Sequence, residues 1–215
     1  MRHYSSNLGQ SSRRGIAFFI VISSLLIVLA GCASPALKTG YLKDYTRLWK
    51  GEYLENYWEN KALLNSKEYS KISVEAINID RIKDEKGVTA EDCRRWLRNA
   101  LLNATSSLRD NFIFDDTSSE AQARLEIAIT EMTPGSAAGR IFAGELGMGH
   151  AWVQVEGRVV DRNGEEVVAF RDRRRSSGAI GFADTGGDAG PGLVAGMLTN
   201  IANDLVQELK RSFGF

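Results

Sequence analysis

Apolar and polar side chains alternate from Ala151 to Asp161, and Asn163-Gly164 then leads into a second β-prone run, Glu165–Arg171. A period of two sets Val153, Val155 and Val159 on an inward face and Gln154, Glu156 and Arg158 on an outward one. Asn-Gly between two such runs predicts a two-residue hairpin turn, so the strands are antiparallel neighbours. A half-apolar hairpin of this kind must bury one face against another layer, which limits the chain to a few layered folds.

The rest of the chain supplies that layer. Lys71 to Asp80 (KISVEAINID) is rich in β-branched residues and reads as a first strand. Thr89 follows as an N-cap, with Asp92 three residues on to complete a capping box and Val88 placed to staple against Cys93. Cys93, Trp96, Leu97, Ala100, Leu101, Ala104 and Leu108 then recur at steps of three and four, the stripe of an amphipathic helix. Asn111 to Asp115 is a short strand, and Ala123 to Thr133 is a longer one with Ala123, Leu125, Ile127 and Ile129 on one face and a wet opposite side. Val194, Met197, Leu198, Ile201, Leu205 and Leu209 mark a terminal helix that begins near Pro191 and ends near Gly214. The order predicts an α+β fold: a mainly antiparallel sheet of about five strands with two amphipathic helices on one face. Ahead of these, Tyr41, Tyr45, Trp49, Tyr53 and Tyr57 recur every fourth residue. That spacing suits a helical ridge, although Gly51 weakens the helix. The ridge either packs on the domain or sets its rings at lipid headgroup level.

At the N-terminus, Arg13 and Arg14 precede an uncharged run from Gly15 to Leu29. Its length matches a signal-peptide core and falls short of the roughly 20 residues that span a bilayer. An uncleaved anchor with an incidental cysteine is the alternative. Leu29-Ala30-Gly31-Cys32 resembles the lipobox of bacterial lipoprotein signal peptides. The resemblance implies cleavage between Gly31 and Cys32 and attachment of diacylglycerol and a fatty acyl chain such as palmitate to Cys32. Ala33, not aspartate, follows the cysteine, which by the same resemblance implies transfer to the outer membrane. Residues 1–31 are then a leader, 32–40 a lipidated cysteine and tether, and 41–215 one periplasmic domain.

Removal of the leader takes Arg2, Arg13 and Arg14 and no acid, leaving 24 basic and 27 acidic side chains on 184 residues. That near balance argues against nucleic-acid binding. With Cys32 acylated, Cys93 has no partner for an intramolecular disulfide, and its place on the apolar stripe makes it a small core residue. His150 alone remains of two histidines, so no multi-histidine metal site and no cofactor is expected.

Two glycine-rich segments, 134–150 and 176–196, flank the hairpin and should emerge at one end of the sheet. They contain no phosphate-binding loop and no dinucleotide fingerprint. A hydrolase would need His150 as base, Ser176 or Ser177 as nucleophile and Asp184 or Asp188 as orienter, but no nucleophile elbow supports that arrangement. Arg171, Arg173, Arg174 and Arg175 form the densest basic cluster, with Arg171, Arg173 and Arg175 on one strand face. They are either a solvated strand end or a contact for phosphate or acidic cell-wall polymer.

Three stretches, Thr39-Gly40-Tyr41-Leu42-Lys43-Asp44-Tyr45, Thr130 to Arg140 and Val159 to Val168, together resemble a family of bacterial lipoproteins that carry a domain of unknown function. More loosely, the order of elements is similar to the periplasmic domains of the curli-export lipoprotein and of lipoprotein activators of penicillin-binding proteins. The resemblance implies no catalytic residue. The expectation is a non-enzymatic, lipid-anchored module at the outer membrane that binds an envelope protein or cell-wall partner through the glycine-rich ends and the arginines. An envelope hydrolase using His150 and a homo-oligomeric structural or export component are the alternatives.

Overall fold

The computed structural model describes residues 37–85, 87–114, 119–136, 150–176 and 189–215. In chain order the elements are β1 (Asn56–Glu59), α1 (Lys61–Ser66), β2 (Ile72–Val74), α2 (Ala90–Ala104), β3 (Phe112–Ile113), β4 (Ala123–Thr133), β5 (Trp152–Asp161), β6 (Glu166–Arg175) and α3 (Ala189–Phe213). The six strands form one sheet in the order β1-β6-β5-β4-β2-β3. It is an α+β fold, but the sheet is mixed and has one strand more than the sequence suggests. Strands β4, β5, β6 and β1 pair antiparallel, whereas β2 runs parallel to both β4 and β3. The reason lies in α2: a helix between β2 and β3 returns the chain to the same end of the sheet, so the second strand enters in the direction of the first.

The capping box of α2 forms as the sequence indicates. Thr89 Oγ1 accepts from the Asp92 amide at 3.0 Å, and Asp92 Oδ2 accepts from the Thr89 amide at 3.2 Å. Cys93, Leu97, Ala100 and Leu101 are buried on the resulting face. Helix α2 lies along α3, and Val194, Leu198, Ile201, Leu205 and Leu209 of α3 share one core with Val153, Val155, Val159, Val168 and Phe170 of the sheet. Phe170 lies across Gly157, directly opposite it in the ladder. A Cβ at Gly157 would stand 2.7 Å from the Glu126 carbonyl oxygen as well as inside the Phe170 ring, so only glycine fits beneath that ring. At its far end α3 closes with Gly214 at φ 74°, the left-handed cap that glycine accepts without strain.

The hairpin between β5 and β6 is real, but its connection is four residues, 162–165, where Asn-Gly suggested two. Asp161 takes over the turn. Its carbonyl accepts from the Gly164 amide at 3.0 Å, while its Oδ1 accepts from the amides of Asn163 and Glu165. Gly164 alone needs the left-handed region there, at φ 81°.

The aromatic segment is not a helix. Gly51 donates to the Leu54 carbonyl in a tight turn, where a Cβ would meet that oxygen at 2.8 Å and Glu208 Oε2 at 2.9 Å. The turn folds Trp49 back across Tyr57, and their amides and carbonyls exchange hydrogen bonds of 3.0 and 2.7 Å. The same four-residue spacing therefore builds the edge strand β1, with Tyr57 inaccessible in the core and Trp49 and Tyr53 exposed. No helix among the described residues is long and apolar enough to cross a membrane.

Candidate functional site

The polar side of the hairpin holds the most unusual chemistry in the domain. Gln154 and Glu156, which their alternation places on a solvated face, are both 0% exposed. The face is dry because residues 37–47 cross it as a strap. Leu37 is held at both ends of its peptide unit: its amide donates to Gln154 Oε1 at 3.0 Å, and its carbonyl accepts from Gln154 Nε2 at 2.8 Å. Glu156 then receives the strap's hydroxyls, Thr39 Oγ1 on Oε1 at 2.7 Å and Tyr45 Oη on Oε2 at 2.5 Å. Gln154 Nε2 at 2.8 Å and Thr130 Oγ1 at 3.2 Å complete the carboxylate's partners. A buried carboxylate is costly unless its lone pairs are filled, and here four donors fill them.

Local sequence explains each strap contact. Gly40, at φ 79°, turns the chain so that its amide donates to Tyr45 Oη at 3.0 Å, and the Leu42 amide does so at 3.3 Å. Leu42 is buried, and Asp44 Oδ1 accepts from the Thr46 amide and hydroxyl. The segment Thr39 to Tyr45 is thus a compact clasp centred on one phenol. On the sheet side, a β-bulge between Ile129 and Glu131 places Thr130 and Glu131 together on the strap face and returns Met132 to the core. Burial, aided by Glu126, pushes the Tyr41 phenol up to about 12, so it stays neutral beside the clasp.

The arginines divide by strand parity, as the sequence indicates. Arg171, Arg173 and Arg175 stand opposite Glu156, Gln154 and Trp152 on the strap face, while Arg174 points to the helix side. Most of their donors serve the fold. Arg171 lies over the Tyr45 ring and donates twice to Asn56 Oδ1, at 3.0 and 2.6 Å. Arg173 pairs with Glu131 at 3.1 Å and lies over Trp152. Arg174 bridges Asp172 and Asp204 of α3 at 2.6 and 2.7 Å. Burial pushes the Asp172 carboxyl up despite that guanidinium. Arg175 is exposed at the strand end.

The described ends of the two glycine-rich segments meet. Ser176 and Ala151 pair through their backbones, Ser176 Oγ accepts from the Ala151 amide at 3.0 Å, and Pro134 abuts Gly190 at the start of α3. His150 is buried, with Nδ1 2.8 Å from the Ser176 carbonyl oxygen, so the contact it makes there is with a backbone oxygen and not a nucleophile. Gly31, Cys32, Ser177, Asp184 and Asp188 lie outside the described residues. Among those described, no cluster of three or more histidine, cysteine or acidic side chains is placed to hold a metal. Clefts among the described residues include one of about 340 Å³ between β2 and α2, lined by Ile77, Arg94, Arg98 and Phe114, one of about 640 Å³ beside Tyr69 and Phe213, and one of about 240 Å³ beside Arg124 and Arg162.

No family model matches the chain, and no curated protein sequence matches it. Solved structures give partial likenesses. A PelC dodecamer from Paraburkholderia phytofirmans aligns at TM-score 0.42 and 16% identity, covering 69% of this chain and 94% of that one. The hypothetical protein CT253 from Chlamydia trachomatis aligns at 0.44 and 11%, covering 68% and 99%. An uncharacterised protein aligns at 0.43 and 15%, covering 66% and 94%. Likenesses this distant carry no argument about activity or assembly.

Proposed function

We propose that this chain is a bacterial lipoprotein, anchored through lipid on Cys32 at the outer membrane, whose domain faces the periplasm and binds an envelope protein or cell-wall component. The single observation that carries the reading is Leu29-Ala30-Gly31-Cys32 at the end of a short apolar run behind Arg13 and Arg14. The domain's chemistry supports a binding role over a catalytic one. Among the described residues the buried acids, Glu156, Asp161, Asp172 and Glu208, are each occupied by donors from other parts of the fold. His150 is seated on a backbone carbonyl. The partner's contact belongs to the end of the sheet where Ser176, Arg175 and the start of α3 meet.

The test is metabolic labelling with a palmitate analogue, followed by membrane fractionation, for wild type and Cys32→Ser. Wild type should carry the label and sediment with outer membranes; the variant should carry none. Label retained by the variant, or absent from both, sinks the anchored reading. Crosslinking the wild-type protein in envelopes then separates the roles. Discrete heterologous bands support a binding module, and a ladder of multiples supports a homo-oligomeric component in its place.

A further inference from the structure

We infer that the strap-bearing face of the sheet is the face turned to the membrane, with Lys38, Lys43 and Lys50 against anionic lipid headgroups. The inference rests on the proposed lipidation of Cys32 and adds the surface that meets the bilayer. Leu37 is fixed to the middle of this face by both hydrogen bonds to Gln154. Only residues 33–36 separate it from Cys32, so even a fully extended chain lets the lipid stand no more than about 17 Å away. The helices occupy the opposite side of the sheet. To reach their outer surface the tether would have to run past β6 and β1, about 10 Å at roughly 4.8 Å per strand, and then pass the sheet edge and a helix about 10–12 Å across, which is farther than it spans. Turning the helices to the bilayer would require pulling Leu37 off Gln154.

The surface chemistry agrees with this orientation. Leu37, at 49% exposure, is the one exposed large apolar side chain of the strap residues 37–47, whereas Trp49, opposite Tyr57, and Tyr53, whose amide donates to Glu208, belong to the turn packed beside α3. Within residues 37–50, Lys38, Lys43 and Lys50 are exposed against the single exposed acid Asp44, while Arg47 is engaged with Glu166 and the Trp58 ring. Cations close to an anionic leaflet are attracted over about a Debye length, roughly 8–10 Å at physiological salt.

The experiment uses the full-length acylated protein in vesicles of phosphatidylcholine and phosphatidylglycerol that contain a headgroup-nitroxide lipid. A bimane label is placed at Lys43→Cys on the strap or at Asn99→Cys on the outer side of α2, both exposed positions. Cys93 is buried and stays unlabelled in the folded protein. Quenching at position 43 should exceed that at 99 by about threefold or more, because α2 is held at least a helix diameter farther away. Replacing phosphatidylglycerol by phosphatidylcholine should narrow the ratio. Equal quenching at the two positions, or stronger quenching at 99, overturns the orientation while the protein's flotation with vesicles leaves the anchor intact. Failure of the wild-type protein to float, as with Cys32→Ser, overturns the anchor and this inference with it.

Discussion

Glu156 has the environment of a buried charge that is fully hydrogen-bonded, and Tyr45 is its shortest partner at 2.5 Å. Losing one donor should therefore be expensive for a change of a single oxygen. Tyr45→Phe leaves Glu156 Oε2 without its hydroxyl and the Gly40 and Leu42 amides without their acceptor. The expected loss is about 2–3 kcal/mol, at the upper end for a bond to a charged group. A urea titration checks this, and faster exchange of the amides of residues 37–45 should accompany it; an unchanged midpoint would show that the clasp is not what holds the strap. None of this was legible in the hairpin. Gln154 and Glu156 alternate with valines as solvated residues do, and no local pattern distinguishes a polar residue facing water from one facing a strap 117 residues away.

At the scale of elements, helix α2 is where the sequence speaks most fully. Its cap, stripe and start are all encoded within a few residues, because hydrogen bonds at a helix end are made by neighbours in sequence. The cap is also a titrating element. The Thr89 hydroxyl and amide, with Arg95 adding a smaller contribution, hold the Asp92 carboxyl below its ordinary 3.8. A carboxyl depressed in the folded state stabilises the fold above its unfolded value, and that contribution is lost as pH falls through the folded one. Asp92→Asn should consequently lower stability near pH 6 and flatten its acid dependence below about pH 4, so that the two proteins' melting curves converge at the acid end. Curves that stay parallel down to pH 2 would mean that the box contributes nothing through its charge. Strand β1 is the contrary case. Its aromatic spacing fits a ridge of helix or an edge hairpin equally well, and the Gly51 turn against Leu54 and Glu208 chooses the hairpin.

For the whole molecule, Cys93 offers a reporter. It lies at 0% exposure on the core face of α2, and burial, reinforced by Asp92 and Asp84, pushes its thiol up to about 12. In the proposed lipoprotein, where Cys32 carries lipid, it is the one free thiol of the two cysteines. Reaction with an aromatic disulfide reagent at pH 8 should be negligible in native buffer and complete within the urea transition. Rapid labelling without denaturant would mean that the layer of helices opens independently of the sheet.

By itself the sequence determined the two amphipathic helices, the antiparallel pairing of β5 with β6 and the shared face of Arg171, Arg173 and Arg175. All of these depend on spacings within one element or across one turn, where the periods of helix and strand apply directly. Only the tertiary structure decided that the sheet is mixed, that a sixth strand closes its edge, and that the polar face of the hairpin is sealed. Those outcomes depend on contacts between residues far apart in the chain. Burying Glu156 becomes tolerable only once Thr39, Tyr45, Thr130 and Gln154 converge on it from three separate segments.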